Sequence, residues 1–286
     1  MNALRSLFWS SRPISWVNTA IPFAAAYFFS SGEVSAQLLV LTLFFLIPYN
    51  LLMYGINDVF DYESDMRNPR KGGIEGALLA PELHKTTLLW AYGLSVPFVA
   101  YAIWASSGNI WALGVFALTL FAVVAYSVKG LRFKEIPFLD SMTSSLHFVG
   151  PMLFGLLLAG ETLGPSLWFA TGAFFLWGAA SHAFGAVQDI RADREANIAS
   201  VATSLGAKNT VRMAVFLYLV AGLMLIALPD RFWQASFAAI PYLLVVGSHL
   251  GISDETCEQA NRGWKKFLLL NFLAGAWIMA LLIGPS

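Results

Sequence analysis

The sequence predicts an all-helical integral membrane domain, and three features carry that prediction. Of the 286 residues, 58% are hydrophobic and 12% charged, whereas a soluble domain has roughly 45–50% and 25%. Apolar runs of about 17 to 23 residues recur along the chain, each long enough to cross about 30 Å of hydrocarbon as a helix. The 17 Lys and Arg residues also segregate: once those runs are threaded as spans, all but Arg231 fall on one side.

Nine transmembrane helices around a central cavity are expected, in the following order. The first, 14–30, comes after Met1-Asn2-Ala3-Leu4-Arg5 with no small-residue cleavage site, so it is read as a retained span. The second, 36–57, ends in a run of acids and leads into a long charged loop. The third and fourth, 86–105 and 110–128, are divided by Ser106-Ser107-Gly108-Asn109, which has the composition of a tight turn. The fifth and sixth, 141–159 and 166–187, meet at Gly160-Glu161-Thr162-Leu163-Gly164-Pro165, and the sixth ends in a second group of acids. Pro229-Asp230-Arg231 separates the seventh and eighth, 211–228 and 233–250. The ninth, 267–284, follows Asp254-Glu255 and the basic Arg262, Lys265 and Lys266. Short turns therefore lie on one side and long charged connections on the other. The positive-inside bias puts the N-terminus and the long loops in the cytoplasm, as expected of a plasma-membrane protein with one domain, 1–286.

Cys257 stands alone, which excludes an intramolecular disulfide, and no Cys/His group has zinc or iron–sulfur spacing. Redox chemistry has no support, no nucleic-acid partner is expected, and the oligomeric state is left open.

The chemistry is concentrated in two segments, Asn57-Asp58-Val59-Phe60-Asp61-Tyr62-Glu63-Ser64-Asp65 and Gln188-Asp189-Ile190-Arg191-Ala192-Asp193. Each stands where an apolar span reaches the membrane surface, and ionisable groups there are costly unless paired, metal-bound or wet. If the second helix continues through Asp65, Asp58, Asp61 and Asp65 fall within about 60° of one another at ~100° per residue, with Asn57 one turn before Asp61. Asp189 and Asp193, four apart, make a similar pair. Crowded carboxylates repel, and such arrays usually hold a cation. Oxygen donors favour Mg²⁺, which takes one or two carboxylates, waters and substrate phosphates. Two arrays of this kind point to a diphosphate bridged by Mg²⁺. The competing reading is a solvated helix end with surface ion pairs; Glu63 and Glu195, directed elsewhere on their helices, are read that way.

Cations lie beside both segments: Arg67, Arg70 and Lys71 after the first, Lys129, Arg132 and Lys134 in the next charged loop, and Arg191 and Arg194 within the second. They are candidates for phosphate oxygens that a metal leaves unsatisfied. Orientation bias and lipid head groups account for single loop cations equally well.

Asn57-Asp58-x-x-Asp61-x-x-x-Asp65, Asp189-x-x-x-Asp193, the stretch Tyr126-Ser127-x-x-x-x-Arg132-x-Lys134 and the nine spans together resemble the UbiA superfamily of intramembrane prenyltransferases, over nearly the whole chain. The resemblance implies a helical bundle around a cavity, capped on the cytoplasmic side by the acids. It implies Mg²⁺ and a prenyl diphosphate held by Asp58, Asp61, Asp65, Asp189 and Asp193, with diphosphate contacts from Asn57, Lys129, Arg132 and Lys134. Asn197 departs from the pattern, since many relatives carry glycine there. The segment Asn68-Pro69-Arg70-Lys71-Gly72-Gly73-Ile74-Glu75-Gly76-Ala77-Leu78-Leu79 looks like the branch of lycopene elongases that build C50 carotenoids in bacteria.

The expected reaction transfers a prenyl group, dimethylallyl in the favoured reading, to an apolar acceptor such as lycopene. Departure of the diphosphate leaves an allylic cation, which metal, Lys and Arg assist by charge stabilisation and cavity aromatics by cation–π attraction. Tyr54, Phe60, Tyr62 and Tyr126 are the aromatic candidates. His147 and His182 are read as groups that orient the acceptor or collect a proton, with buried structural histidines as the alternative. Two other readings stay open: a UbiA-type enzyme acting on an aromatic quinone precursor, a glycerol phosphate lipid or a porphyrin side chain, and a cation-coupled secondary transporter. The acids at one face and the lack of an evident inverted repeat speak against the transporter.

Overall fold

The computed structural model describes residues 3–66 and 78–284, and every regular element among them is helical. Among the described residues, six helices are long and apolar enough to cross a membrane. The chain forms two compact units, one of residues 1–133 and 147–162, the other of 134–146 and 163–286.

In the first unit a short helix α1 (Ala3–Ser10) and a 3₁₀ turn lead into α2 (Val17–Ser31), which stops at Gly32 in the left-handed conformation. The predicted second span divides into α3 (Ala36–Leu46) and α4 (Pro48–Phe60). The cause is Pro48, whose fixed φ and missing N–H suit the first position of a new helix. Ser35 opens α3 by accepting the Leu38 N–H at 3.2 Å. After Asp61 comes α5 (Tyr62–Asp65), followed by α6 (His84–Ala105) and α7 (Ile110–Ser127). Asn109 caps α7 through the Ala112 N–H and also donates to the Leu157 carbonyl at 2.7 Å.

The α4 helix is the axis of this unit, packing against α1, α3, α6 and α7. Lipid tails are as apolar as a protein core, so close packing and interhelical hydrogen bonds hold such helices together. Both are present. Phe23, Phe44, Phe45, Tyr49, Phe116 and Phe154 interlock with centroid separations from 4.7 to 6.2 Å. Beside them the Asn50 amide donates at 2.8 Å to both Thr19 Oγ1 and the Phe45 carbonyl.

The helix α8 (Leu139–Leu158) contributes its first residues to the second unit and its later ones to the first. The second unit continues with α9 (Pro165–Val187), α10 (Ile190–Glu195), α11 (Val201–Leu205) and α12 (Ala207–Ile226). A 3₁₀ segment, Asp230–Ala238, precedes α13 (Ala239–Gly247), and another, Asp254–Gln259, precedes α14 (Ala260–Ile283). The predicted eighth span is therefore partly 3₁₀. Pro241 cannot donate to the Phe237 carbonyl, which removes an α-type bond where the winding changes. The α9 helix packs along α12, and its small residues let neighbours approach closely. A Cβ on Gly178 would collide with Ser145, and one on Gly185 would lie 3.0 Å from the Trp264 ring.

One tie in this unit is made by a loop acid. Asp254 accepts the Ala207 N–H at 2.6 Å, capping α12 from across the chain, and takes Arg194 Nη1 at 2.7 Å. The Ala207 N–H first, and then Arg194, hold its carboxyl below the ordinary range against the opposing effect of burial. With a depressed pKa, this contribution is present above the ordinary carboxylate pKa of about 3.9 and is lost as pH falls through the folded value. Asp254→Ala is expected to cost about 1 kcal/mol, the usual value of a lost helix cap. Thermal unfolding in detergent would read this as a lowered midpoint, and an unchanged midpoint at pH 7 would refute it.

Candidate functional site

Both acid segments lie at the same kind of helix break. At the end of α4, Asp61 leaves helical geometry with φ −102° and ψ 0°, yet its N–H still bonds the Asn57 carbonyl at 2.9 Å and its carbonyl accepts the Asp65 N–H at 2.8 Å. The predicted helix through Asp65 thus forms as α4 and α5 with a bend at Asp61. At the end of α9, Asp189 has φ −99° and ψ −5°, and its carbonyl accepts the Asp193 N–H at 2.8 Å. Each bend turns a short acidic helix off the end of a long apolar one.

In the first unit the acids are withdrawn from water: Asp58 is 1%, Asp61 6% and Asp65 8% exposed. Among the described residues, two arginines offset their charge. Arg12 Nη2 donates to Asp58 Oδ1 at 3.0 Å, and its guanidinium lies 4.3 Å from the centre of the Tyr54 ring. Burial works against the charge on Arg12, but Asp58, Tyr54 and, further off, Asp65 outweigh it and raise its pKa above the ordinary value. Arg132 Nη2 approaches Asp61 Oδ1 at 3.8 Å. Both arginines have positive φ, 49° at Arg12 and 42° at Arg132. For a residue with a Cβ this conformation costs of order 1–3 kcal/mol and persists where the surroundings over-determine it, often at functional sites. Asn57 Oδ1 accepts the Ser127 hydroxyl at 3.1 Å, which ties the start of the acid segment to the end of α7. Between Asn50 and Asp58 only Tyr54 and Asn57 keep partial exposure.

The other predicted residues of this unit distribute as follows. Tyr126 and His147 meet edge to face at 5.2 Å, and the His147 carbonyl accepts the Tyr49 hydroxyl at 3.1 Å. Tyr62 packs on His84 at 5.0 Å. Phe60 is partly buried, and Lys129 is exposed. Arg67, Arg70 and Lys71, and most of the loop from Asn68 to Leu79, lie outside the described residues.

In the second unit, Asp189 and Asp193 are partly exposed. Arg191 is directed to Glu258 Oε1 at 3.4 Å and Arg194 to Asp254, so α10 is clasped by the segment ahead of α14. Lys134 sits half-buried in the 3₁₀ turn Phe133–Glu135. Glu195 is exposed, as is Glu63 in the first unit, in keeping with a solvated role. Asn197 takes φ 55°, its N–H bonds the Arg194 carbonyl at 3.2 Å, and the Ile198 N–H bonds the Asp193 carbonyl at 2.8 Å. This is a Schellman ending with a left-handed residue, usually glycine and sometimes asparagine. The departure from glycine at this position therefore leaves the turn intact.

Three further residues were not singled out from the sequence as site residues. Arg12 is one of the Lys and Arg residues that segregate to one side, and Arg-Pro directly before a span also combines a cation with a turn. Asp140, at 0% exposure, opens α8 and accepts the Ser141 N–H and the Val201 N–H, both at 2.7 Å. A lone acid at the head of an apolar run was its signal. Ser141 Oγ lies 3.0 Å from His182 Nδ1.

Among the described residues no three His, Cys, Asp or Glu side chains gather as a ready-made metal cage. Carboxylates are nonetheless the donors Mg²⁺ prefers, and it ordinarily completes its shell with water and substrate phosphates. The donor set fits on its chemistry, with the metal's remaining ligands to come from the substrate.

The chain matches the UbiA prenyltransferase family over residues 19–275. It is 54% identical over 275 residues to the C(50) beta-cyclic carotenoids biosynthesis protein LbtBC of Dietzia sp., covering 95% of this chain but only 63% of that protein's length. It is 50% identical over 289 residues to a lycopene elongase/hydratase of Corynebacterium glutamicum, covering 99% of this chain and 98% of the relative. Among solved structures, a UbiA homolog from Archaeoglobus fulgidus bound to DMAPP and Mg²⁺ shares its fold with a TM-score of 0.69 at 20% identity, covering 96% of this chain and 99% of that one.

Proposed function

The chain belongs to the UbiA prenyltransferase family, and from that premise we propose that it moves a dimethylallyl group from its diphosphate to the ends of lycopene in a Mg²⁺-dependent reaction. The observation that carries the chemistry is the first acid segment: three buried aspartates at the end of an apolar helix, with two guanidiniums at 3.0 and 3.8 Å. Such an assembly suits a substrate that is anionic at one end and hydrocarbon beyond it. The choice of acceptor is supported by the lycopene elongase/hydratase relatives. The family match runs across both compact units, which supports one functional domain.

Asp58, Asp61, Asp65, Asp189 and Asp193 are the proposed oxygen donors for the metal and diphosphate. Mg²⁺, when bound, supplies charge neutralisation for the departing diphosphate. Arg12 and Arg132 hold the aspartates in register and can turn to phosphate oxygens, as arginine forks do. Arg67, Arg70, Lys71, Lys129, Lys134 and Arg191 are further proposed diphosphate contacts, and Asn57, fixed by Ser127, presents an amide among them. Tyr54 and Tyr126 offer ring faces to the allylic cation, each worth ~0.5 to 2 kcal/mol. The apolar helices exclude the water that would quench it. The segregation of Lys and Arg supports nine spans with the N-terminus and the acids facing the cytoplasm of a plasma-membrane protein.

Expression in a lycopene-producing bacterial host tests the acceptor. Pigments heavier than lycopene by one and two C5 units, with or without added water, are the expected result. Unchanged lycopene beside well-expressed membrane protein would overturn the assignment.

A further inference from the structure

The second half of α9 is enclosed except along one line. From Gly178 to Ile190 every residue is buried apart from His182, Ala186 and Asp189. Their spacing of four and three puts them on one helical stripe, His182 about two turns from Asp189 on the apolar side. The stripe thus joins an acid of the second segment to an imidazole set deeper among apolar residues.

The imidazole is held from a second helix. Ser141 Oγ lies 3.0 Å from His182 Nδ1, and the Ser141 N–H donates to Asp140 Oδ1 at 2.7 Å. Asp140 is itself fixed by the Val201 N–H at 2.7 Å, so the chain of contacts ends in backbone. The neighbouring Ser181 faces away, to the Trp177 carbonyl at 2.6 Å and the Tyr218 hydroxyl at 2.9 Å. The tautomer in which Nδ1–H donates to Ser141 Oγ makes Nε2 the basic nitrogen.

We propose that His182 is the catalytic base that takes the proton released when the alkylated acceptor is quenched, with Ser141 as its positioning residue. The inference rests on the prenyl-transfer reading above. In that reaction the allylic C–O bond breaks and its electron pair leaves with the diphosphate. The π pair of an acceptor double bond forms the new C–C bond and leaves a tertiary cation. An adjacent C–H bond then supplies the pair for a new double bond, and His182 Nε2 accepts the proton. If water adds to the cation instead, the same nitrogen takes the proton of the oxonium. Either route releases one proton, and the base and its orientation decide the proportion of alkene to alcohol.

The test uses full-length protein in membranes with dimethylallyl diphosphate, Mg²⁺ and lycopene, and compares wild type with His182→Gln, His182→Ala and Ser141→Ala. Both His182 variants are expected to release more diphosphate per product formed than the wild type. Correctly terminated product should fall by about 100-fold, in the range of lost general-base catalysis, and the alkene-to-alcohol ratio should shift at least tenfold in the same direction for all three variants. Added imidazole should restore the His182→Ala product. In the ligand-free protein, nitrogen NMR of isotope-labelled histidine should report the Nδ1–H tautomer at His182 and its loss in Ser141→Ala. Variants that are slower with an unchanged product ratio and no imidazole rescue would overturn the proposal and leave His182 structural. A wild-type protein that prenylates no polyene would instead overturn the acceptor assignment, and the base with it.

Discussion

Asp61→Ala is expected to lower prenyl transfer by at least about 100-fold while the protein still folds into the membrane, and Asp189→Ala to do the same. Loss of one group that stabilises developing charge in a water-poor site typically costs about 10²–10³ in rate. The folded state should tolerate both changes. Each aspartate sits at a helix bend, and the backbone bonds across it, Asp61 N–H to Asn57 and Asp65 N–H to Asp61, do not use the side chain. Removing the Asp61 carboxylate takes away the group 3.8 Å from Arg132 Nη2, and that arginine is one-quarter exposed and can turn to water. The check is turnover of purified variants beside their elution as single species in detergent. Full activity in both variants would sink the metal-site proposal.

Chelation is expected to have an effect as large. Excess EDTA should stop transfer, and Mg²⁺ should restore it. No three acids form a closed cage among the described residues, and Asp58 and Asp61 are engaged by arginines in this state. Metal affinity should therefore be weak alone and strengthened by the diphosphate, with the reciprocal effect of metal on diphosphate binding required by linkage. Titrating Mg²⁺ into protein with and without inorganic diphosphate would read the coupling. Undiminished turnover in excess chelator would refute the metal dependence.

The class of fold was legible in the sequence because a bilayer allows few solutions: a chain this apolar must satisfy its backbone internally, and helices do so locally. For the same reason two of the predicted spans fall close to described helices, 86–105 against His84–Ala105 and 166–187 against Pro165–Val187. The acid segments were legible because charge at the edge of hydrocarbon is costly and their spacing repeats the helical period. The division of the second span at Pro48 and the 3₁₀ start of the eighth were carried by single prolines and missed by a reading based on hydropathy, which averages over such residues.

The sequence by itself determined the membrane character, the helical architecture and the aspartates in their two groups, because composition and local periodicity are properties of short stretches of chain. Tertiary structure alone decided which distant groups meet them. Arg12 reaches Asp58 across 46 positions, Asp140 meets the Val201 N–H across 61, and Ser141 holds His182 across 41. No local period encodes such contacts; they follow from which helices pack together, and that is set by interlocking side chains and small-residue approaches summed over the whole chain.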